Sequence, residues 1–522
     1  MGLLGTVLLT VARLVWWSGR QVTVVGFMVL RRLGWAAFSI VRLRRGTFGS
    51  ARWASRWMLW RAGVLGERGL IVGKAGRRLL RDSNDEGSLL VLAPQGAGKG
   101  VGPVVCNLLD YRGSILCTDP KGENAAITAR HRSTLGPVFR LDVGDPERSA
   151  AFNPMSTIRW NTVDEADDAE ALADLMLVPD LKEESHWRMR ATAWLTGFIL
   201  YVGHSYRETP ELVTLAQVNE VVNADPETFR ATLDDMLRLP VAKVAETAAQ
   251  ILKGKDSEES RNILSNLVKG TEIWSLGKPL ALISGQSEFS FEELYRRTAT
   301  VFLIVPEEKL AIYGPFLRVM TGLALNGVLR AGREMSPPAE RPLFLLDEAA
   351  ALGYLGPLEQ GMGYLRAYAR AMLIFQDLGQ LEATYPKARS LISNAATLVA
   401  FGVNDIATAE MLSKRIGATT VAARSEGLSQ GTTQVVAGQA QAGLAEAGRL
   451  LIDASEILRL GVDEVLVFMG RKVAAPIRAR RAIYHREQRF AGLFDAWRAT
   501  CAAPDGVRAA AIADIRDAAL RA

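Results

Sequence analysis

The sequence predicts an α/β protein: a doubly wound sheet with a glycine-rich phosphate loop, an inserted all-α domain, and a basic helical segment ahead of both. Three observations carry that prediction. An apolar strand pattern runs directly into Gly96-Ala-Gly-Lys-Gly100. A second apolar strand ends in the paired carboxylates Asp347 and Glu348. Between these two motifs, residues 163–295 show apolar spacing of three to four and few strand signals.

The first motif reads as a strand over Leu89 to Ala93, stopped at Pro94, then a tight loop, then a helix over Val101 to Leu109. Strand, glycine-rich turn with one lysine, and helix together make a phosphate cradle. Its candidate nucleotide-binding residues are Gln95, Gly96, Ala97, Gly98, Lys99, Gly100 and Val101. Glycine lets backbone N–H groups approach phosphates, the helix N-terminus adds partial positive charge, and Lys99 supplies a point charge. The pattern departs from the usual one at two places. Ala93 stands where glycine is usual, and Gly100 stands where serine or threonine normally offers magnesium a hydroxyl.

The second motif, Arg341-Pro-Leu-Phe-Leu-Leu-Asp347-Glu348, begins 242 positions after Lys99 and supplies what a nucleoside triphosphatase needs beside its cradle. Asp347 is the expected metal-orienting carboxylate and Glu348 the residue that polarises the attacking water. A further strand, Ser114 to Thr118, ends at Asp119, on the ligand edge that a parallel sheet presents. Two roles are open for Asp119: holding metal-bound water in place of the hydroxyl missing at Gly100, or capping the helix from Asn124 to Arg130. Val138 to Leu141 reads as another strand and Phe152-Asn-Pro154 as a turn.

Asp347 lies far beyond what a minimal nucleotide-binding core requires after Lys99, so something is inserted. Trp187, Ala191, Trp194, Phe198 and Tyr201 fall on one helical face and read as core. Ala299 to Val305 returns the chain to the sheet. After Glu348 come Arg366, the strand Ala371 to Phe375 with Arg370 at its head, and Gln376 and Gln380 just past its end. Gln376 is placed to sense a terminal phosphate, and Arg370 or Arg366 to reach a neighbouring subunit's site as an arginine finger. Thr397 to Val403 and Glu464 to Met469 are further strands, and Ser425 to Gly443 reads as a mobile loop. Arg471, Lys472, Arg478, Arg480 and Arg481 form a basic run, open to reading as a nucleic-acid path or as a solvated face.

Composition sets the outer limits. The 522 residues, 49% hydrophobic and 23% charged, describe a packed protein of more than one folded unit. Cys106, Cys117 and Cys501 have no metal-ligand spacing and fit buried thiols of a reducing compartment, and four scattered histidines give no imidazole metal site. The net charge of +6 is mild but concentrated at the front. Residues 1–69 hold eleven arginines, ten of them ahead of the first acidic residue, Glu67, with Trp16, Trp17, Trp35, Trp53, Trp57 and Trp60 among them. Apolar runs there are short, and arginines near their middles cost roughly 2.5–3.5 kcal/mol each in a spanning helix. At about 100° per residue, Arg13, Arg20, Arg31 and Arg42 share a sector of roughly 40°, which suits a helix at anionic headgroups. Membrane association is expected. Whether the segment spans or lies on the surface is left open.

The motifs together resemble one family, the type IV secretion coupling proteins. The resemblance rests on Pro94 to Gly102, Gly113 to Glu123, Phe152-Asn-Pro154, Leu345 to Glu348, Gln376 to Leu381 and Asn394 to Gly417, and spans about Leu70 to Phe490. It implies a RecA-like P-loop ATPase using ATP and Mg2+, assembled as a homo-hexamer with active sites between subunits. It also implies an inner-membrane N-terminus, cytoplasmic catalytic domains, and partners that are a type IV secretion channel and a DNA–relaxase or effector-protein cargo. The front segment departs from a clean pair of spanning helices. The corresponding division is a membrane-associated segment at 1–69, a nucleotide-binding domain in two parts at 70–162 and 296–490, an all-α insertion at 163–295, and a helical tail at 491–522. A nucleotide switch that hydrolyses slowly and only recruits cargo is the alternative that Gly100 favours.

Overall fold

The computed structural model describes residues 48–83, 87–178, 185–205, 213–254, 257–426 and 442–497. They fall into two compact units. One takes in the described residues up to Trp53 together with 409–457, and the other takes in Ala54–Thr408 and the chain from Leu458 onward.

The strands, in chain order, are β1 (Leu70–Ala75), β2 (Arg78–Asp82), β3 (Leu89–Leu92), β4 (Ile115–Asp119), β5 (Val138–Asp142), β6 (Thr300–Ile304) and β7 (Leu343–Leu346). They continue with β8 (Arg370–Phe375), β9 (Thr397–Ala400), β10 (Ala418–Glu426), β11 (Ala442–Leu450), β12 (Glu464–Met469) and β13 (Val473–Arg480). In the larger unit eleven of them form one sheet in the order β2-β1-β13-β12-β9-β3-β8-β7-β4-β6-β5. From β9 to β5 every neighbouring pair is parallel, and β12, β13, β1 and β2 extend the sheet in antiparallel fashion. Such a parallel sheet is buried on both faces, which is why β3 and β7 read as unbroken apolar runs. Each fully buried leucine in them contributes about 1.5–3 kcal/mol.

All seven parallel strands point their C-terminal ends to one edge, where ligands bind in such sheets. β8 lies between β3 and β7, so the residue after β8 stands between the lysine loop and the paired carboxylates.

Between β5 and β6 the chain is helical, as expected: Glu165–Met176, Ser185–Ser205, Leu215–Val222, Pro226–Met236, Ala242–Lys253, Glu258–Thr271 and shorter turns. Ala191, Trp194 and Phe198 are buried on one face of the second of these. Leu310–Glu334 then leads from β6 to β7. Among the described residues, only the stretch Glu307–Glu334 is long and apolar enough to cross a membrane. It is instead a core helix here, packed so closely that a Cβ on Gly322 would stand 2.3 Å from Leu175 Cδ2.

The helix after the phosphate loop starts later than the sequence suggests. Gly100–Val104 forms a widened turn in which Gly102 leaves helical geometry, and the α-helix proper is Val105–Asp110. Pro103 explains this, since it has no N–H to donate and its ring crowds the carbonyl one turn back.

In the smaller unit, β10 and β11 pair antiparallel from Ala418↔Leu450 to Glu426↔Ala442. Ser425 and Gly443, the ends of the expected loop, are therefore paired to each other, and 427–441 lie outside the described residues. So do 1–47 of the front segment and 498–522 of the tail.

Candidate active site

β3 ends at Leu92, and the loop after it turns sharply at Gly96 (φ 75°) and Gly98 (φ 82°), left-handed values that glycine adopts without penalty. The loop opens on a cavity of about 770 Å³ lined by Gln95, Gly96, Gly98, Lys99, Gly100 and Val101. Asp119, Asp347, Glu348 and Gln376 line the same cavity. Residues separated by hundreds of positions thus meet at the sheet's C-terminal edge.

Lys99 Nζ lies 2.7 Å from Glu348 Oε2 and 3.4 Å from Asp347 Oδ1. Burial lowers the Lys99 pKa, but the two carboxylates overcome it and hold the ammonium above its ordinary value. Burial pushes the Asp347 carboxyl up, with the Lys99 charge only partly opposing. Burial also raises Glu348, yet Lys99 and the amides of Gln380 and Gln376 more than offset it and keep its carboxyl below the usual range. Two adjacent carboxylates are therefore driven apart, with Glu348 the more readily ionised.

Glu348 sits at φ 61° and ψ 57°, left-handed backbone that a side-chain-bearing residue rarely adopts. Its surroundings over-determine that conformation. Gln376 Nε2 donates to Oε1 at 3.0 Å, Gln380 Nε2 donates to the same oxygen at 2.7 Å, and Lys99 holds the other oxygen. Gln380 Oε1 in turn accepts from the Gln376 backbone N–H at 2.7 Å. The sequence reading gave Gln380 no role. Its signal was Asp377-x-x-Gln380 at a helix start, a capping-box pattern. Asp377 does cap, accepting from Gln380 N at 2.7 Å, but the glutamine side chain turns to Gln376 and Glu348 instead.

Asp119 takes the capping role and stays at the cavity as well. Its Oδ2 accepts from Ala125 N at 2.8 Å at the start of the helix Glu123–Ser133, and it faces the cavity beside Asp347. Burial drives its carboxyl up to about 7, with backbone N–H donors opposing. The donor set suits magnesium: two hard carboxylates at the ends of adjacent strands, with Asp347 Oδ1 buried and met only by the Lys99 ammonium at 3.4 Å. At Gly100 an added Cβ would meet nothing within 4 Å, so the place of the missing hydroxyl is open space.

Three expectations need correction. Ala97 spends its N–H on the Pro94 carbonyl at 3.2 Å and its own carbonyl on Arg481, and it is not among the residues that line the cavity. Arg370 cannot serve as a finger. It lies at the N-terminal head of β8, at the sheet edge opposite the phosphate loop, and it and its ion-pair partner Asp82 are each 2% exposed, 3.2 Å apart. Removing one partner of such a pair leaves a buried charge, at a cost of about 3–5 kcal/mol. Arg370→Ala should therefore lower the thermal midpoint markedly, and an unchanged melting curve would contradict this structural assignment.

The basic run is also not one surface. Lys472 precedes β13 and Arg480 ends it, about 26 Å apart at 3.3 Å per residue. Lys472 binds Ser83, while Arg478 is paired with Glu464 at 2.7 Å. Arg481 is folded against the phosphate loop.

A lysine-bearing loop on one parallel strand, paired carboxylates two strands away, and a glutamine on the strand between define a P-loop protein with a RecA-like core. The chain belongs to the family of type IV secretory system conjugative DNA transfer proteins, whose model matches residues 47–503. It is 29% identical over 491 residues to the conjugal transfer protein TraG of Escherichia coli, covering 85% of this chain and 76% of TraG. It is 28% identical over 481 residues to the VirD4 protein of Rhizobium rhizogenes, covering 87% of this chain and 68% of VirD4. The fold is similar to that of the bacterial conjugative coupling protein TrwBdeltaN70, with a TM-score of 0.61 at 19% identity over 83% of this chain and 92% of the TrwBdeltaN70 chain. TrwB has been seen with ADP and Mg2+ and with a non-hydrolysable ATP analogue.

Proposed function

We propose that this chain is a membrane-associated ATPase that recruits DNA or nucleoprotein and drives it into a type IV secretion channel. The observation that carries the reading is the convergence of Lys99, Asp347, Glu348 and Gln376 on one cavity. Family membership and the nucleotide complexes of TrwB support the same assignment.

As the structure stands, Lys99 neutralises the two carboxylates. An incoming triphosphate competes for that ammonium, with the loop N–H groups as further donors. Drawing Lys99 to the phosphates frees Glu348, which Gln376 and Gln380 keep in place. Glu348 then takes a proton from water as the water oxygen attacks the terminal phosphorus and the bond to the bridging oxygen breaks, giving ADP and phosphate. Asp347, with Asp119 beside it, would hold Mg2+, which neutralises charge on the phosphates when bound. Gln376 lines the cavity and donates to the base, which supports a role in reporting the terminal phosphate.

The reading includes a homo-hexamer at the cytoplasmic face of the inner membrane, anchored through the arginine- and tryptophan-rich front segment. Of the two arginines considered as a finger, Arg370 is buried in an ion pair and Arg366 is exposed, which leaves Arg366 as the candidate. The test is ATP turnover with and without single-stranded DNA. Stimulation of several-fold, falling steeply with added salt as counterion release requires, is the expected result. Stimulation by a secreted protein but not by DNA would transfer the assignment to effector cargo.

A further inference from the structure

Arg481 reads in the sequence as the last member of a basic run, yet the fold takes it out of solvent. β13 runs in the same direction as β3, so its C-terminal end reaches the phosphate-loop edge. There Arg481 Nη1 donates to the Ala97 carbonyl. Its guanidinium lies over the Phe401 ring, 5.2 Å from the centroid, with Asp463 3.9 Å away, and its side chain is only 10% exposed. A Cβ on Gly98 would stand 2.8 Å from Nη1, so glycine there is what allows the guanidinium to lie against the loop.

In a trans peptide the carbonyl and the following N–H point to opposite sides. Fixing the Ala97 carbonyl on Arg481 therefore turns the Gly98 N–H the other way. Gly98 lines the cavity and Ala97 does not. We propose that Arg481 is a positioning residue for the phosphate loop, locking the 97–98 peptide so that the Gly98 N–H is aimed at the bound phosphates. This rests on reading the cavity as a nucleotide site.

A loop with glycine at 96 and 98 has many conformations to lose on binding, and a brace from behind removes that loss beforehand. Arginine suits the task better than lysine. Its planar, weakly hydrated guanidinium can hydrogen-bond the carbonyl and stack on Phe401 at once.

The test uses the full chain in detergent and a fluorescent ATP analogue. Arg481→Ala should raise the Kd and the KM about tenfold, the scale of one charge-assisted hydrogen bond, with a much smaller change in kcat. Arg481→Lys, which restores the donor but not the stacking, should fall between and covers the case in which the alanine variant fails to fold. Arg478→Ala removes the same charge from the same strand, where it pairs with Glu464, and should leave Kd unchanged. Wild-type affinity in Arg481→Ala, or an equal loss in Arg478→Ala, would overturn the proposal while leaving the nucleotide reading intact. Failure of the unaltered chain to bind the analogue would remove that reading, and the proposal with it.

Discussion

Lys99→Ala should reduce ATP turnover by about 10²–10³-fold or more, the usual cost of losing a preorganised charge at a phosphoryl-transfer site. Binding should weaken as well, because Lys99 is the loop's only side-chain cation. The fold should survive. Lys99 is not a core residue, and its loss leaves Asp347 and Glu348 at a water-accessible cavity wall. The expected observation is native circular dichroism with turnover near background. Turnover within a few-fold of the unaltered chain would mean that the glycine loop is not the phosphate cradle.

Glu348→Gln should separate the two halves of the mechanism. The amide has no basic oxygen with which to accept a proton from water, so turnover should fall by about 10²–10⁴-fold. Nucleotide affinity should be retained or increased. The reason lies in the unliganded geometry, where Lys99 is engaged by Glu348 at 2.7 Å and a triphosphate must displace that pair. A neutral residue at 348 removes the competitor. Equilibrium binding and turnover measured on the same preparation check both halves. Turnover at the parent rate would show that another group is the base, and lost binding would show that Glu348 shapes the loop instead.

The strands and the site edge were legible because parallel strands buried on both faces leave a plain apolar signature. Leu89 to Leu92 and Leu343 to Leu346 announce both a strand and, by the residues that follow, a ligand edge. Strand order was not in that signature. Only the sheet places β8 between β3 and β7, and that placement makes Gln376 a neighbour of Glu348. Arg370 and Arg481 were misread for one shared reason. An arginine in sequence looks like a surface charge, whereas its burial depends on a partner far along the chain: Asp82 in one case, Ala97 and Phe401 in the other. The late start of the helix after the loop was marked by Gly102-Pro103, a pair that breaks regular helical geometry.

Gly100 is where a motor and a slow switch part company, since the side chain that would bring a hydroxyl to the metal is absent. Asp119 lines the cavity beside Asp347 on the neighbouring strand, and in the proposed mechanism it makes up for that hydroxyl. Multiple-turnover phosphate release from the full chain with ATP and Mg2+ tests that account most directly. A motor predicts sustained release, on the order of 1–100 turnovers per second per chain when cargo is present, and loss of that release in Glu348→Gln. A single stoichiometric burst with ADP retained, followed by no further release, would contradict it.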